Sequence, residues 1–298
     1  NNSVLTLLPF LLFSESLLFR SPRAFSVKIS HLVQYPDPEA PLAGKGDYYY
    51  SDFPSMFTDS SQTISLISHE GSAILHHYQE STNPVEFLTG LQHQPVYQKC
   101  HHLINSLEFR DLGISAKHAQ YLISSGMTHS LSYYESDDIA IACFFMPKGS
   151  TISLHDHPDM FVHTKVLAGQ IRVRSLDFAD RFESYDDLQF EEPYQGPLSL
   201  LSDQAIPFEA TVRSDVTCSK GDSMILTPEQ ANIHTMTALE DTVFFDFILP
   251  NYDREEALRP CRYFYEDQAT CNNTKPGEAT SLYYISCPDD PTAEFEFQ

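Results

Sequence analysis

Two histidines separated by a single residue lie near the middle of the chain, in the stretch SLHDHPDM at residues 153–160. Side chains two positions apart on a β-strand share one face. His155 and His157 can therefore point together into the interior of a barrel, while Asp156 points away or supports a neighbour and Pro158 ends the strand. Because imidazole nitrogens bind transition metals well, this spacing predicts two ligands of a metal site.

A third ligand is predicted from the stretch PEQANIH, residues 228–234. His234 follows a Gly-Asp turn that begins at Gly221, then a short strand, then a turn at Pro228. A ligand on an adjacent strand of a barrel would be placed in this way. Three imidazoles on one metal ion would leave open positions for other ligands.

The same region contains a second possible ligand set. His157, Asp159 and His234 spell the HxD…H pattern of two histidines and one carboxylate, which is the set of the 2-oxoglutarate oxygenases. Those enzymes use a basic residue beyond the last histidine to hold the cosubstrate, but residues 235–253 contain no Lys or Arg. Asp159 also follows a proline, where strand alternation is doubtful.

The segments around these histidines are short and rich in β-branched and aromatic residues. They are IAIACFFM at 139–146, the run from Thr151 to His157, QIRVR at 170–174, SMIL at 223–226 and the run at 242–249. Turns with Pro and Gly separate them, which predicts a mainly β sandwich or barrel. Residues 96–125 show a helical pattern instead, so a helical part precedes the barrel.

Composition and charge restrict the partners. The 298 residues include 41 acidic and 18 basic side chains, for a net charge of −23, and such a surface repels nucleic acid. The apolar part of residues 1–30 is too short and too interrupted to span a membrane. This acid-poor segment contains Ser and Arg, and it indicates a mitochondrial transit peptide or a helix that docks on the domain. We expect an intracellular protein, with the mitochondrion slightly favoured.

Several ordered motifs together resemble the family of cysteamine (2-aminoethanethiol) dioxygenases and plant cysteine oxidases, which are thiol dioxygenases of the cupin superfamily. The motifs are LHDHPDM, KVLAGQIRVRSLDF, NIHTMTA, FFDFILPNYD and RPCRYFYE. An ordinary cupin has a Glu four or five residues after the second histidine, where this chain has Phe161 and Val162. The three-histidine form without that carboxylate is typical of thiol dioxygenases.

The resemblance implies a cupin barrel (a double-stranded β-helix, or jelly roll) over residues 96–290. Residues 1–95 would be a divergent N-terminal extension for targeting or docking, and residues 291–298 an acidic tail. It implies Fe(II) on His155, His157 and His234, and the oxidation RSH + O2 → RSO2H. The substrate would be a small aminothiol such as cysteamine, or a peptide that begins with cysteine.

The same resemblance singles out four further residues. Asp246, flanked by apolar residues, must be paired, for example with Arg262, or bind the substrate's amine. Tyr252 matches a tyrosine that lines the pocket. Cys261 and Tyr263, two apart on a strand, resemble a pair that can form a thioether crosslink in the animal enzymes.

One departure from the family supports a different reading of the chain. Asp159 stands where the family usually has Gly, beside a predicted ligand, where its side chain could crowd the metal. The alternative function is therefore a cupin recruited as an accessory subunit of a larger assembly, with residues 1–95 as its docking surface. His163 and Lys165 are interpreted as structural residues.

Overall fold

The fold is described by a computed structural model, which covers residues 29–32, 62–179, 192–196, 198–253, 259–266 and 274–286. Four helices precede most of the strands: α1 (Gln62–Glu80), α2 (Pro84–Thr89), α3 (Pro95–Ser106) and α4 (Ala116–Ser124). In α1 the buried residues Ile64, Ile67, Gly71 and Ile74 recur at helical spacing. Gly71 lets this helix approach the sheet closely, because a Cβ there would lie 2.9 Å from Cε2 of Phe247.

The first sheet contains six antiparallel strands in the order β1-β2-β3-β10-β5-β8. Their bounds are Ile29–Leu32 (β1), Thr128–Glu135 (β2), Ala140–Met146 (β3), Thr242–Leu249 (β10), Phe161–Ala168 (β5) and Ser223–Leu226 (β8). All eight residues of β10 are buried, and the strand is apolar except for Thr242 and Asp246. A carboxylate in so buried a strand requires a specific role.

The second set of strands closes on itself in the order β11-β12-β7-β6-β9-β4. Their bounds are Tyr263–Glu266 (β11), Ala279–Ile285 (β12), Phe208–Ser219 (β7), Gln170–Phe178 (β6), Ile233–Ala238 (β9) and Thr151–His155 (β4). The ring closes at one register pair, Tyr263 with His155. A predicted metal ligand thus lies at the seam of this barrel.

The two sets of strands pack against each other, and the helices cover the opposite face of the first sheet. Phe244 of β10 packs with Met236 of β9 in a cluster that lies between the two sets. Its neighbours Phe245 and Phe247 pack with the helices, because successive residues of a strand point to opposite faces. The predicted mainly β fold with an N-terminal helical part is confirmed, and the four separate strand segments at 139–146, 170–174, 223–226 and 242–249 fall in β3, β6, β8 and β10.

The helices and the first sheet share one core. The cluster that contains Phe245 also contains Ile64, Ile74 and Leu88, which precede residue 95, and Ile104, which follows it. The predicted boundary at residues 95 and 96 thus does not coincide with a break in packing among the described residues. Within those residues, no helix is long and apolar enough to cross a membrane.

Polar contacts fix α3 on β5. The Tyr97 hydroxyl lies 2.6 Å from Nδ1 of His163. Burial raises the pKa of Tyr97 and lowers the pKa of His163 to about 3, so the hydroxyl is the donor to a neutral ring. Lys165 donates to the carbonyls of Asn105 and Gly221, each at 2.8 Å. These contacts agree with the structural interpretation of His163 and Lys165.

Candidate metal centre

The structure brings His155, His157 and His234 together. The ring centroids lie 5.0 Å apart for His155 and His157, 4.6 Å for His155 and His234, and 4.9 Å for His157 and His234. One nitrogen of each ring lies within 4.8 Å of the corresponding nitrogen of the others. Of the side chains that the structure describes, these three alone form such a group, and it contains no carboxylate. The three can hold one metal ion.

A β-bulge in β4 gives His155 its direction. Ile152 pairs with Met236, and His155 pairs with His234, so three steps along β4 match two steps along β9. The extra residue moves His155 onto the face that Ile152 and Met236 share, toward the first sheet. Leu154 points the other way, into a cluster with Leu176 and Ile233. Without the bulge, Leu154 would lie opposite His234.

His157 does not share the strand of His155, and the prediction that strand alternation aims both rings is wrong. Strand β4 ends at His155. His157 is held by Asn232, whose side-chain oxygen accepts from its backbone N–H at 3.0 Å and whose amide donates to its carbonyl at 2.6 Å. The two rings converge because of this clamp, which has no signature in the HxH spacing.

His234 is positioned by a tight turn just before its strand. Ala231 has a left-handed backbone with a φ of 57°, which is unusual for a residue with a side chain. The Asp177 carboxylate accepts a hydrogen bond from the backbone N–H of Ala231 at 2.5 Å. This contact stabilises the strained turn from which β9 and His234 start.

Hydrogen bonds identify which ring nitrogen carries the proton in His155 and in His157. The Ser153 carbonyl lies 2.8 Å from Nδ1 of His155, and a carbonyl can only accept, so that nitrogen carries the proton. The Tyr252 hydroxyl donates to the Asp156 carbonyl at 2.7 Å and therefore accepts from Nδ1 of His157 at 2.8 Å. In both rings Nε2 then carries the free electron pair that a metal needs.

The remaining observations fit a metal in this position. Nε2 of His157 and Nδ1 of His234 are buried and have no hydrogen-bond partner. Burial lowers the pKa of His155, and burial with the neighbouring rings lowers the pKa values of His157 and His234 well below their ordinary range. Three neutral rings, two of which have an unpaired buried nitrogen, form a donor set suited to a divalent transition metal.

Asp156 lies between His155 and His157 in the sequence. The sequence predicted that its side chain either points away or supports a neighbour, and the structure shows the second arrangement. Its side chain is fully buried. One carboxylate oxygen accepts from the backbone N–H of Arg262 at 2.8 Å, and the other lies 3.4 Å from the Arg262 guanidinium. Burial outweighs this cation and raises the pKa of Asp156 to about 7. Arg262, and with it the start of β11, is thereby tied to the metal-ligand loop.

Asp246 does not pair with Arg262, so that sequence-based alternative is wrong. It shares the inner face of β10 with Phe244 and Ile248, and the Thr164 hydroxyl donates to it at 2.5 Å. No described cation pairs with this carboxylate. Burial raises the pKa of Asp246 to about 7, and the Thr164 hydrogen bond lowers it only in part. The site thus contains a buried carboxylate that lacks a positive partner.

Tyr252, Cys261 and Tyr263 surround the ligand rings. The Tyr252 ring centroid lies 5.3 Å from that of His157, and the Tyr263 ring centroid lies 6.3 Å from that of His155. Cys261 is half-buried and immediately precedes Arg262. It contributes to the raised pKa of Tyr252, after the larger effect of burial. Strand β11 begins at Tyr263, so Cys261 lies just outside the strand on which sequence reasoning placed it.

Asp159 is not part of the histidine group. It has a left-handed backbone with a φ of 50°, and Asp is among the residues with a side chain that adopt this conformation most readily. This backbone explains why a glycine would suit the position. The alternative set of His157, Asp159 and His234 is therefore not assembled by the described residues.

Sequence reasoning missed three of the residues that position the ligands: Asn232, Asp177 and the Arg262 partner of Asp156. Asn232 precedes His234 by two residues and is buried, which for an amide side chain requires hydrogen-bond partners. Its presence beside a ligand was a usable signal. No local sequence pattern indicated the long-range contacts of Asp177 and Arg262.

Comparison with known proteins agrees with this site. The PCO_ADO family model matches residues 103–290. The 2-aminoethanethiol dioxygenase of Mus musculus is 32% identical over 44% of this chain and 51% of its own length. That of Homo sapiens is 30% identical over 60% of this chain and 67% of its own length. Plant cysteine oxidase 2 of Arabidopsis thaliana is 24% identical over 55% of each chain. The alignments thus span between half and two thirds of these relatives.

Proposed function

Because the chain belongs to the PCO_ADO family, we propose that it is a thiol dioxygenase that converts RSH and O2 into the sulfinic acid RSO2H. The observation that carries the proposal is the group of three neutral histidines that contains no carboxylate. The names of the relatives, 2-aminoethanethiol dioxygenase and plant cysteine oxidase, point to thiols with a nearby amine as substrates. We accordingly propose cysteamine or a peptide with an N-terminal cysteine.

His155, His157 and His234 are the proposed ligands of Fe(II). The ion would supply the open positions for the thiol and O2, and the positive charge that favours the thiolate. The protein's part is to keep the three rings neutral and correctly oriented. Ser153 and Tyr252 hold the Nδ1 protons of His155 and His157, so Nε2 faces inward on each. Neutral ligands leave the charge of the ion available to the thiolate.

Asp246 is proposed to bind the ammonium group of the substrate. Its carboxylate is buried, accepts one hydrogen bond from Thr164 and has no described cation beside it. A bound ammonium would supply the missing positive charge and bring the pKa of Asp246 down from about 7. Cysteamine and an N-terminal cysteine both carry an amine two carbons from sulfur, so one carboxylate can serve both.

Tyr252 is proposed to position His157 and to border the substrate, and Tyr263 to border the site beside His155. A thioether between Cys261 and Tyr263 stays a prediction. Trypsin cleaves after Arg262, so the crosslink would join two tryptic peptides into one species that is lighter by two hydrogen atoms than their sum in a mass spectrum.

Two further predictions from the sequence concern an accessory subunit and a mitochondrial location. No observation on the described residues favours an accessory subunit, since the helices at 62–95 bury residues such as Ile64, Ile74 and Leu88 against α3 and the first sheet. A docking role for residues 1–28 and 33–61 stays a prediction, and so does the mitochondrial location. Those residues lie outside the part of the chain that the structure describes.

The test is metal loading followed by oxygen uptake. The protein is loaded with Fe(II) without oxygen, and O2 consumption is then measured with cysteamine and with a short peptide that begins with cysteine. We expect uptake with at least one thiol and a sulfinic acid in the product's mass spectrum. His155→Ala should abolish it, because two imidazoles hold the metal poorly.

His102→Ala is the matched control, since His102 is an exposed histidine of α3 outside the site. It should oxidise thiols at the wild-type rate. An iron-replete protein that consumes no oxygen with either thiol contradicts the proposed function. Uptake that requires 2-oxoglutarate would favour the alternative chemistry.

A further inference from the structure

A row of polar residues crosses the second set of strands at the level of the ligands. His155 of β4 is the register partner of His234 of β9, His234 is the partner of Ser175 of β6, and Ser175 is the partner of Ser214 of β7. Side chains of directly opposite residues have Cβ atoms about 4.5–5.5 Å apart. Two serine hydroxyls therefore continue the line of the metal ligands.

Both serines face the same interior as the ligands. Val173, two residues before Ser175, packs with Met236 in the cluster between the two sets of strands. Leu176 and Val212 pack together on the opposite side. A bulge after Ser175 matches this division, because Ser175 pairs with Ser214 whereas Leu176 pairs with Val212. Ser175 and Ser214 thus share the face of His234.

The serine pair has a hydrogen-bond donor to spare. The two Oγ atoms lie 2.6 Å apart, and Ser175 is 3% exposed. Each hydroxyl carries one proton, and their mutual bond uses only one of the two. Among the described residues neither hydroxyl has another partner. A hydroxyl proton without a protein acceptor at this position is available to donate to a bound molecule.

We propose that Ser175 and Ser214 bind the carbonyl oxygen of an N-terminal cysteine and so select cysteinyl peptides over cysteamine. The inference rests on the proposed function and deepens it. Cysteamine equals the first residue of such a peptide without its carbonyl group, so the two share a thiol and an amine but differ in this acceptor. Asp246 lies across the interior on β10, where it can take the amine that both possess.

The proposal makes the serines specificity-determining residues. Removing one neutral hydrogen bond weakens binding by about tenfold. Ser175→Ala and Ser214→Ala should therefore each lower kcat/KM for the peptide about tenfold, mainly through KM. Oxidation of cysteamine should change less than about twofold, since it has no group for the serines to bind.

The experiment compares both thiols on the full chain loaded with Fe(II). Cysteamine is followed both as a substrate and as a competitor of peptide oxidation, so that its affinity is measured even if it reacts slowly. The affinity of the peptide is also measured without oxygen by titration calorimetry, which does not depend on turnover. Both serine variants should show about tenfold weaker peptide binding in that titration.

Thr237→Val is the matched control. Thr237 forms another cross-strand hydroxyl pair, with Thr151 at 3.1 Å, on the same β4–β9 ladder. It points away from the ligands because its neighbours Met236 and Ala238 face the interior. This variant should bind and oxidise both thiols as the wild type does.

Three results overturn the inference: serine variants that bind the peptide as the wild type does, variants that lose peptide and cysteamine to the same extent, and a wild type that prefers cysteamine. A wild type that binds the peptide but oxidises neither thiol contradicts the proposed function instead. In that case the calorimetric comparison still decides whether the serines bind the carbonyl.

Discussion

Tyr252→Phe tests how the protein holds His157. The substitution removes one hydroxyl that donates to the Asp156 carbonyl at 2.7 Å and accepts from Nδ1 of His157 at 2.8 Å. The phenylalanine ring fills the same space, so the change is confined to the contacts of the hydroxyl, which are these two hydrogen bonds and a contact with the Cys261 side chain. Afterwards the carbonyl and the ring N–H are both buried without a partner, and the ring is free to rotate or to move its proton to Nε2.

The magnitude follows from these contacts. A buried polar group left unpaired costs about 1–3 kcal/mol, and two groups are left unpaired, so the free energy of unfolding should fall by about 2–6 kcal/mol without metal. Loss of a hydrogen bond that orients a ligand lowers metal affinity by about 10- to 100-fold. Metal binding should therefore weaken by about 1.4–2.7 kcal/mol.

Chelator competition without oxygen measures the metal affinity, and urea denaturation measures the stability. Tyr133→Phe is the control, because the buried Tyr133 hydroxyl donates to the Leu112 carbonyl at 2.8 Å, away from the histidines. We expect it to lose stability but to bind the metal normally. If Tyr252→Phe binds the metal within twofold of the wild type, the tautomer assignment for His157 is wrong.

Asp246→Asn should raise KM for both thiols by about 10- to 100-fold in steady-state kinetics, because it removes a charge-assisted contact with the amine. Burial raises the pKa of Asp246 to about 7 from its ordinary 3.8, so the folded state binds the extra proton. Wild-type stability relative to this variant should then fall by about 1.4 kcal/mol per pH unit as pH rises through that window, and urea titrations that show no such trend refute the assignment. Asn232→Ala should weaken metal binding at least tenfold, because it frees the backbone of His157, whereas Asn105→Ala on α3 should leave chelator competition unchanged. Burial lowers the pKa of His163 to about 3, below its unfolded value of 6.5, so the stability advantage of the wild type over His163→Gln should shrink as pH falls below about 6.5. A constant difference between pH 7 and pH 4 in urea titrations would contradict a neutral buried ring.

Much of the architecture could be predicted because local sequence patterns indicate the strands and helices. The strands β3, β6, β8 and β10 contain β-branched and aromatic residues bounded by turn residues. Helix α1 carried a signal that the sequence interpretation did not use. Its isoleucines at 64, 67 and 74 follow a helical stripe, although α1 lies in the part of the chain that was treated only as an extension.

The ligands were predictable, but their geometry was not. Histidine is a conspicuous residue type, and three in ordered motifs identify a candidate site without coordinates. The bulge in β4 and the end of that strand at His155 depend on pairing with β9, which is a property of the fold. The partner of Asp156 is 106 residues away along the chain, and no local pattern links the two.

The seam between Tyr263 and His155 also sets an order of events during synthesis on the ribosome. The groups that hold the metal ligands come from as far along the chain as Arg262, which closes over Asp156. Such distant contacts cannot form until the intervening segments have been made. We therefore expect the histidine group to reach its metal-binding geometry late in synthesis, and a fragment that ends before Cys261 should retain far less metal after dialysis than the full chain.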